Sequence, residues 1–449
     1  MKEERILNML GEIDDSYIEE AAEILPCKRT RKDTRKNIRF PAAAAAAAAA
    51  VIAAAALFAC IRFLPAGTNS PEINTPGMDG FTDPSVNLPP ATGPAGTADY
   101  AGPSDSPTPD AGLPLLSSRF DTETGMGFES MMYYDISEAE NGNPWTEEQS
   151  LYFLPVYRNL AYTDMGGISV FLSEEEMLEL AERTAAALDT LVEETTCQRI
   201  SDITEQPPAG QNGTEAYSLC AKTALGEITV YGNGQVRVFF SEPVTLPEEY
   251  RFTYSHTTDA EAADVLRYLT GRYQDLCAFS QTTFCTGGDY TYSGERTRFY
   301  QAYDKSGDLT QQILNYHFSR ISFSPDDDGK LFIIWFGNLL TGTEKVGDYP
   351  LISVETARQL LLNGSYITTV PSEYLGGGTI TESQIARTEL VYRTGSTEEL
   401  FMPYYRFYVE LTDYNADMAD GLRCYGAYYV PAVSSEYLSD FPVWDGQFN

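Results

Sequence analysis

Residues 41–61 read PAAAAAAAAAVIAAAALFACI and divide the chain into parts of different composition. The stretch from Ala42 to Ile61 holds twenty residues without a charge. Because a helix rises about 1.5 Å per residue, this stretch spans about 30 Å, the thickness of the hydrocarbon core of a bilayer. The sequence therefore predicts one transmembrane helix within residues 41–62.

The charges on the two sides of this segment are unequal. Seven Lys and Arg residues lie within residues 28–39, whereas Arg62 is the only basic residue between Ile61 and Arg119. Basic residues mark the cytoplasmic side of a membrane protein. The sequence thus predicts a single-pass, signal-anchored protein of the cell membrane, with a cytoplasmic N-terminus and an extracellular C-terminal domain.

Alanine favours helices but is only weakly apolar, which leaves three other interpretations of residues 42–61 open. Its small residues suit a cleaved secretory signal, although residues 1–40 make a long leader for one. The sequence Leu57-Phe58-Ala59-Cys60 resembles a lipobox, in which Cys60 would accept a lipid. The third interpretation is a soluble polyalanine linker.

Residues 1–40 are predicted to form a cytoplasmic helical tail with a basic flank. Apolar residues recur at helical spacing, and Gly11 and Asp14-Asp15 divide the pattern into two short helices. So short a segment cannot bury its apolar stripe by itself. We therefore expect residues 1–25 to bind a cytoplasmic protein; lying on the membrane surface and remaining unfolded are the alternatives.

Residues 63–117 are predicted to be a disordered linker. Residues 65–117 contain eleven Pro, seven Gly and no Lys or Arg, which is typical of extended chain without a packed core. The remaining residues, about 330, suffice for more than one lobe. We expect a first α+β lobe at 118–255 and a second α+β region at 256–449, with room for two sub-lobes.

Helices and antiparallel strands alternate in the pattern beyond residue 118. Ser173 and Glu176 have the spacing of a capping box and predict the start of a helix. Its apolar face is formed by Met177, Leu180, Ala181, Leu188, Leu191 and Val192. Two further helices are predicted at Asp259–Cys277 and Val354–Leu362. Each helix must cover one face of a sheet, so the predicted fold is α+β with repeated helix-on-antiparallel-sheet lobes.

Strands are predicted from alternating or continuous apolar runs. The clearest signal is a hairpin in which Asn233-Gly234 separates two alternating runs, with a predicted type I′ turn. The run Leu331–Phe336 is continuously apolar and is predicted to be buried on both faces. The other predicted strands are Thr297–Tyr303, Phe318–Phe323, Glu389–Arg393, Phe401–Leu411 and Tyr425–Val433.

Composition excludes one class of partner. The chain has 30 basic and 65 acidic residues and a formal net charge of −35. Nucleic-acid binding needs a basic face, so no nucleic-acid partner is expected. Five of the seven Cys lie beyond the predicted membrane segment, and none has the C-x-x-C spacing of a zinc or redox site.

No motif in the sequence predicts catalysis. The only two His residues, His256 and His317, are far apart, and no nucleophile elbow, H-E-x-x-H or P-loop pattern occurs. The acidic run Asp326-Asp327-Asp328-Gly329 is interpreted as a hairpin turn rather than a calcium loop. We therefore expect no catalytic, cofactor-binding or metal-binding residue and no cofactor; a groove lined by some of the thirty Tyr is an alternative binding site.

Several stretches resemble known families. The tail sequence Glu12–Ala21 resembles that of clostridial single-pass membrane proteins, some of them anti-sigma-factor-like, although it lacks the His and paired Cys of the zinc-binding members. The outer domain resembles regulatory proteins of the YycH/YycI type, with PepSY- or cystatin-like lobes. The residues that carry this second resemblance are Leu154–Tyr157, the 227–240 hairpin, Met402–Phe407 and Tyr429–Ala432. The resemblance implies an extracytoplasmic regulatory module.

The expected function is therefore that of a membrane-anchored extracytoplasmic regulatory or sensor protein. It would act without catalysis, by binding a protein, a peptide or a cell-wall ligand outside the cell, while residues 42–61 contact membrane lipid. A cell-wall or glycan-binding surface module without a signalling role is the alternative. An enzyme, such as a hydrolase, is a third hypothesis that no assembled set of residues supports.

Overall fold

The structure is a computed structural model that describes residues 112–117, 136, 141–162, 170–202, 214, 216–290, 296–368, 370, 372–375, 379–395, 398–412 and 423–440. Within these ranges, no helix has both the length and the apolar character needed to cross a membrane. The predicted cytoplasmic tail, transmembrane helix and most of the predicted linker lie outside the described residues.

The described part of the chain is a mixed α+β structure, as predicted. Its α-helices are α1 (Glu174–Ala187), α2 (Asp259–Arg272), α3 (Gln274–Cys277), α4 (Leu309–Phe318) and α5 (Val354–Leu362). Its strands are β1 (Phe153–Asn159), β2 (Glu194–Arg199), β3 (Ala216–Thr223), β4 (Gly226–Tyr231), β5 (Gln235–Val244), β6 (Thr282–Cys285), β7 (Gly288–Tyr290), β8 (Arg296–Arg298), β9 (Gln301–Asp304), β10 (Arg320–Pro325), β11 (Leu331–Gly337), β12 (Thr343–Pro350), β13 (Ile385–Tyr392), β14 (Leu400–Phe401), β15 (Pro403–Glu410) and β16 (Tyr425–Pro431).

The largest sheet has eight antiparallel strands in the order β2-β3-β4-β5-β11-β10-β9-β6. Strands β2 to β5 follow α1 in the chain, and the other four strands follow α2 and α3. The last strands of the two sets, β5 and β11, pair with each other in the middle of the sheet. The sheet therefore consists of two halves, each made of one helical segment and four antiparallel strands. Strands from before and after residue 255 share this one sheet. The division into two lobes at residue 255 stays a prediction.

Helices α1 and α2 cover one face of this sheet. Met177 and Ala181 of α1 and Val265 and Leu269 of α2 are fully buried. They pack against every second residue of the strands, because successive strand residues point to opposite faces. The strand residues in this core include Leu219, Ala221, Ile228, Val230, Val236, Val238, Phe240, Ile321, Phe323 and Ile334.

The predicted capping box at the start of α1 is present. The backbone N–H of Ser173 donates to Glu176 Oε2 at 2.8 Å, and the N–H of Glu176 donates to Ser173 Oγ at 3.3 Å. The helix ends earlier than its apolar pattern suggested, because Asp189 has a φ of +54° and turns the chain away. Leu191 was predicted on the buried face but lies beyond the helix and is 79% exposed.

The predicted helix over Asp259–Cys277 is two helices. Its apolar face is buried, and Thr258 and Glu261 form a capping box at the start of α2. The chain departs from helical geometry at Tyr273, with φ −109° and ψ 33°, and the short α3 follows. Ala278 then adopts a left-handed conformation with a φ of +49°, which ends α3 and redirects the chain.

The predicted strand at Phe318–Phe323 is wrong in its first part. Residues up to Phe318 belong to α4, for which Asp308 is the N-cap, and β10 begins only at Arg320. Ile313, Leu314 and Phe318 of α4 pack in a second core, together with residues of β13, β15 and β16. Because α4 connects β9 to β10, it links the eight-stranded sheet to the C-terminal part of the domain.

The C-terminal part contains two three-stranded sheets, β13-β15-β16 and β12-β1-β14. Helix α5 packs against β16 through buried Ala357 and Leu361. The predicted helix bounds are confirmed: Ser353 accepts a hydrogen bond from the N–H of Thr356 at 3.1 Å, and Gly364 has a φ of +83°. Strand β16 is buried along its whole length.

Strand β11 is buried on one face only, which corrects the prediction for Leu331–Phe336. Leu331 and Ile334 are buried in the core beneath the helices, whereas Ile333 and Trp335 point to the other face and are partly exposed. The run lies in an antiparallel sheet with helices on one side, so its continuous apolar character reflects an aromatic outer face rather than burial on both sides.

The hairpin of β4 and β5 is present, but its turn differs from the predicted type I′. Val230 pairs with Val236, and the loop between the strands is Gly232-Asn233-Gly234. Only Gly234 of this loop has a positive φ, +76°. A three-residue loop with a left-handed residue at its end is the other common hairpin connection.

Two other segments bear on the sequence predictions. Leu116, within the predicted linker, is 2% exposed, and its N–H donates to Tyr437 O at 2.8 Å, so residues 112–117 take part in the fold. The acidic run Asp326–Gly329 is a turn between β10 and β11, as predicted. The N–H of Asp326 donates to Lys330 O at 2.8 Å, and Gly329 has a φ of +77°.

Candidate functional site

The clearest candidate site is a cleft of about 390 Å³ between α1, α3 and the centre of the eight-stranded sheet. We call it the seam cleft, because it lies over β5 and β11, where the two halves of the sheet meet. It is lined by Leu172, Glu176, Glu179, Leu180, Arg183, Gly234, Val236, Leu276, Cys277, Phe279, Ser319, Arg320, Ile321, Phe336, Gly337, Asn338 and Thr341.

The floor of the seam cleft is apolar. Val236 of β5 and Phe336 of β11 lie directly opposite each other in the central pair of strands, and Ile321 is on the neighbouring strand β10. Leu276 and Phe279 lie on either side of the left-handed turn at Ala278 and belong to the same half of the fold as Phe336 and Ile321, whereas Val236 belongs to the first half. The floor therefore combines side chains from both halves.

One wall of the cleft is a face of α1. Glu176, Glu179, Leu180 and Arg183 line the cleft because residues three and four apart lie on the same side of a helix. This wall places apolar Leu180 between exposed charged groups. The cleft thus has an apolar interior and a charged rim, which is the usual composition of a site for a small molecule or a peptide side chain.

The charged groups of this wall differ in their freedom to bind a ligand. The carboxylate of Glu176 is engaged in the capping box, where hydrogen bonds from the backbone and side chain of Ser173 lower its pKa. Within the described residues, neither Glu179 nor Arg183 forms an ion pair. Arg320 on the far side donates to Gln301 Oε1 at 2.7 Å and lies over the ring of Tyr316, so its guanidinium group is already held.

Cys277 is the only thiol that lines the seam cleft. Burial raises the pKa of this thiol to about 12. Because the thiolate is the reactive form of cysteine, Cys277 is a poor nucleophile near neutral pH. The lining supplies no histidine beside it to act as a base. The described lining of the seam cleft therefore contains no pair of a thiol and a histidine base.

A second cleft, of about 430 Å³, lies between residues 141–148 and strand β13. Glu389 borders this cleft but is 3% exposed. Its carboxylate contacts Arg387, and Arg406 Nη2 lies 2.5 Å from its Oε2. Glu389 and Arg406 are direct partners in the β13–β15 ladder, so this cluster fastens two strands together.

The two histidines do not form a site. His317, on α4, is partly buried; desolvation of its ring, followed by the charges of Arg320 and Arg406, lowers its pKa well below the usual value. His256 is exposed in the turn before α2, and its N–H donates to Thr253 Oγ1 at 3.0 Å. In the part of the chain that the structure describes, no group of three His, Cys, Asp or Glu side chains is placed to hold a metal ion.

The seam cleft was not predicted from the sequence, and neither described cleft is lined by a tyrosine. Most tyrosines of β15 and β16 are instead buried in the C-terminal cores. The pairing of β5 with β11 brings the cleft residues together, and no local sequence signal reports that pairing. No protein-family model matches the chain, and no curated protein has a significantly similar sequence.

Proposed function

We propose that the chain is a membrane-anchored extracytoplasmic regulatory protein that acts by binding a peptide or a segment of a protein in the seam cleft. The single observation that carries this proposal is the position of the cleft at the join of the two sheet halves. A ligand there touches side chains of both halves at once, so it would favour one arrangement of the halves over others.

The proposed location rests on the sequence. The uncharged stretch 42–61, the basic residues before it and the acidic region after it support a cytoplasmic N-terminus and an extracellular domain. Residues 1–25 would then bind a cytoplasmic protein, and the anchor would keep both binding events on one chain. No step of this function needs a catalytic residue or a cofactor.

Photo-crosslinking in cells tests the binding function. A photoreactive amino acid at Thr341, on the rim of the seam cleft, should yield a discrete adduct of the full-length protein. The same amino acid at Thr196, which is exposed on the edge strand β2 outside the cleft, is the matched control. An adduct at Thr341 alone supports the proposal; identical adducts at both positions, or none at either, contradict it.

One observation favours the alternative of a glycan-binding surface. On the face of the sheet opposite the helices, the rings of Tyr231 and Trp335 stack with centroids 5.7 Å apart, and Arg237 lies 5.7 Å from the Trp335 ring. Partly exposed aromatic rings are common in surfaces that contact sugars. The test is binding of the full chain to purified peptidoglycan. This alternative is favoured over the first if Trp335→Ala abolishes binding and blocking the seam cleft does not.

A further inference from the structure

The charges that line the seam cleft cancel, which restricts the ligand further if the proposed function holds. The charged lining residues are Glu176, Glu179, Arg183 and Arg320, two of each sign. A ligand with a net charge therefore gains nothing from the lining as a whole. Selection by charge then depends on where the individual groups lie and on which of them are free to bind.

Two of these four groups are already engaged. Glu176 takes part in the capping box of α1, and Arg320 is held by a neighbouring side-chain amide and an aromatic ring. Glu179 and Arg183 are exposed, and neither has an ion-pair partner in the part of the chain that the structure describes. The cleft thus offers a ligand one carboxylate and one guanidinium group.

These two groups lie on successive turns of the same face of α1. Residues four apart on a helix have Cβ atoms about 6 Å apart, and both side chains are long. An extended dipeptide has its ends about 7 Å apart, because each residue spans at most about 3.6 Å. The free ends of a dipeptide or tripeptide can therefore meet both groups, whereas those of an extended hexapeptide, about 20 Å apart, cannot.

The floor of the cleft is suited to the side chains of such a peptide. It is formed by Val236, Leu276, Phe279, Ile321 and Phe336. The volume of the cleft, about 390 Å³, is near the lower end of the range for ligand sites, which is about 300 to 1,000 Å³. The occupant of the floor is therefore one or a few apolar side chains rather than a folded surface.

We propose that the seam cleft binds a dipeptide or tripeptide with free ends and apolar side chains, whose ammonium group meets Glu179 and whose carboxylate meets Arg183. The apolar side chains supply most of the affinity, because they leave water for an apolar surface. The two ends supply selectivity, because a peptide blocked at one end loses one favourable contact and keeps a charge that faces a like charge on α1. An internal segment of a longer chain carries neither end.

Isothermal titration of the full-length protein in detergent at pH 6.5 measures the dissociation constants. This pH lies below the pKa of a peptide amino group, which is about 8, so the ammonium form predominates. The probes are the peptides Leu-Phe, acetyl-Leu-Phe, Leu-Phe-amide and Gly-Gly. The second lacks the ammonium group, the third lacks the carboxylate, and the fourth lacks apolar side chains.

We expect Leu-Phe to bind about fivefold more tightly than either blocked form, since exposed charge pairs contribute up to about 1 kcal/mol each. Gly-Gly should bind at least tenfold more weakly than Leu-Phe, because it buries no large apolar side chain in the floor.

Two variants assign the contacts. In Glu179→Gln, acetylation of Leu-Phe should have no further effect, whereas amidation should still weaken binding. In Arg183→Gln, amidation should have no further effect, whereas acetylation should still weaken binding. Glu182→Gln removes a charge at an exposed position of α1 that does not line the cleft, and should keep the wild-type preferences.

The outcomes separate this inference from the proposed function. If both blocked forms bind as tightly as Leu-Phe, or if Glu179→Gln and Arg183→Gln leave the preferences unchanged, the class of short peptides with free ends is wrong while a binding cleft remains. If none of the four peptides binds at millimolar concentration, this class is also wrong. The crosslinking at Thr341 then decides the cleft-binding function by itself, because it needs no chosen ligand.

Discussion

Val236 and Phe336 lie directly opposite each other in the central strand pair, and both form the floor of the seam cleft. The contact that joins the two halves of the sheet is therefore also the surface that a ligand would touch. Any change in the separation of β5 and β11 changes the shape of the floor. This relationship connects the architecture of the fold to its proposed function.

His317 should make the folded state less stable in acid. Its pKa is lowered in the folded protein, so below about pH 6.5 the unfolded chain binds a proton that the folded chain does not. The free energy of unfolding should fall by up to about 2 kcal/mol between pH 8 and pH 5 from this residue alone. Urea titrations at several pH values measure this slope.

The second histidine provides the control for this prediction. His317→Gln should flatten the pH dependence between pH 8 and pH 5, whereas His256→Gln, at an exposed position, should leave it as in the wild type. Equal slopes in the wild type and in His317→Gln would show that the folded protein accommodates a charged imidazole on α4.

Glu389 should be required for stability. Its buried carboxylate contacts two arginines, so Glu389→Gln leaves their charges without the carboxylate that faces them across the strands. Breaking a buried ion pair costs about 3 to 5 kcal/mol, and we expect a loss of about 3 kcal/mol in chemical denaturation. Glu194→Gln, in the exposed pair with Lys222, is the control and should cause no resolvable change. A small effect at Glu389 would mean that the cluster is hydrated.

The thiol of Cys277 should react slowly and with a steep dependence on pH. Because its pKa is raised to about 12, its alkylation rate should rise about tenfold per pH unit through pH 10. Peptide mass spectrometry of the full-length protein after timed alkylation measures the rate, and Cys277→Ser confirms the assignment. A plateau near pH 8.5 would show that the cleft leaves the thiol in water.

The predicted membrane topology has its own test. A membrane-impermeant maleimide should label Cys197 in intact cells and should label Cys27 only after permeabilisation, because the anchor at 42–61 would separate them. Loss of Cys27 from the mature protein would instead favour cleavage or lipidation at Cys60. Labelling of both residues only after permeabilisation would contradict an extracellular domain.

Local signals in the sequence predicted local structure well. The capping box at Ser173, the helix after Ser353 and the turn at Asp326–Gly329 depend on residues within a few positions of one another. Such signals act through hydrogen bonds of the same segment, so tertiary context seldom overrides them. The mixed α+β class followed from these elements.

Features that depend on distant residues were missed or misinterpreted. Phe318 was predicted as the first residue of a strand but is the last residue of α4, whose burial against the C-terminal sheets decides its conformation. Val236 and Phe336 are one hundred positions apart, and only their pairing creates the seam cleft. The sequence contains no periodicity that reports such a pairing.

The most direct test of the seam cleft as the binding site is to block its rim. Thr341→Trp places a large ring at the exposed edge of the cleft, and Thr196→Trp makes the same change on β2 outside it. In the wild type and in each full-length variant, a photoreactive amino acid at Asn338, an exposed residue that also lines the cleft, is crosslinked in cells, and the yield of the discrete adduct is measured. We expect at least tenfold less adduct for Thr341→Trp and the wild-type yield for Thr196→Trp; equal yields in both variants, or no adduct in the wild type, would contradict binding in the seam cleft.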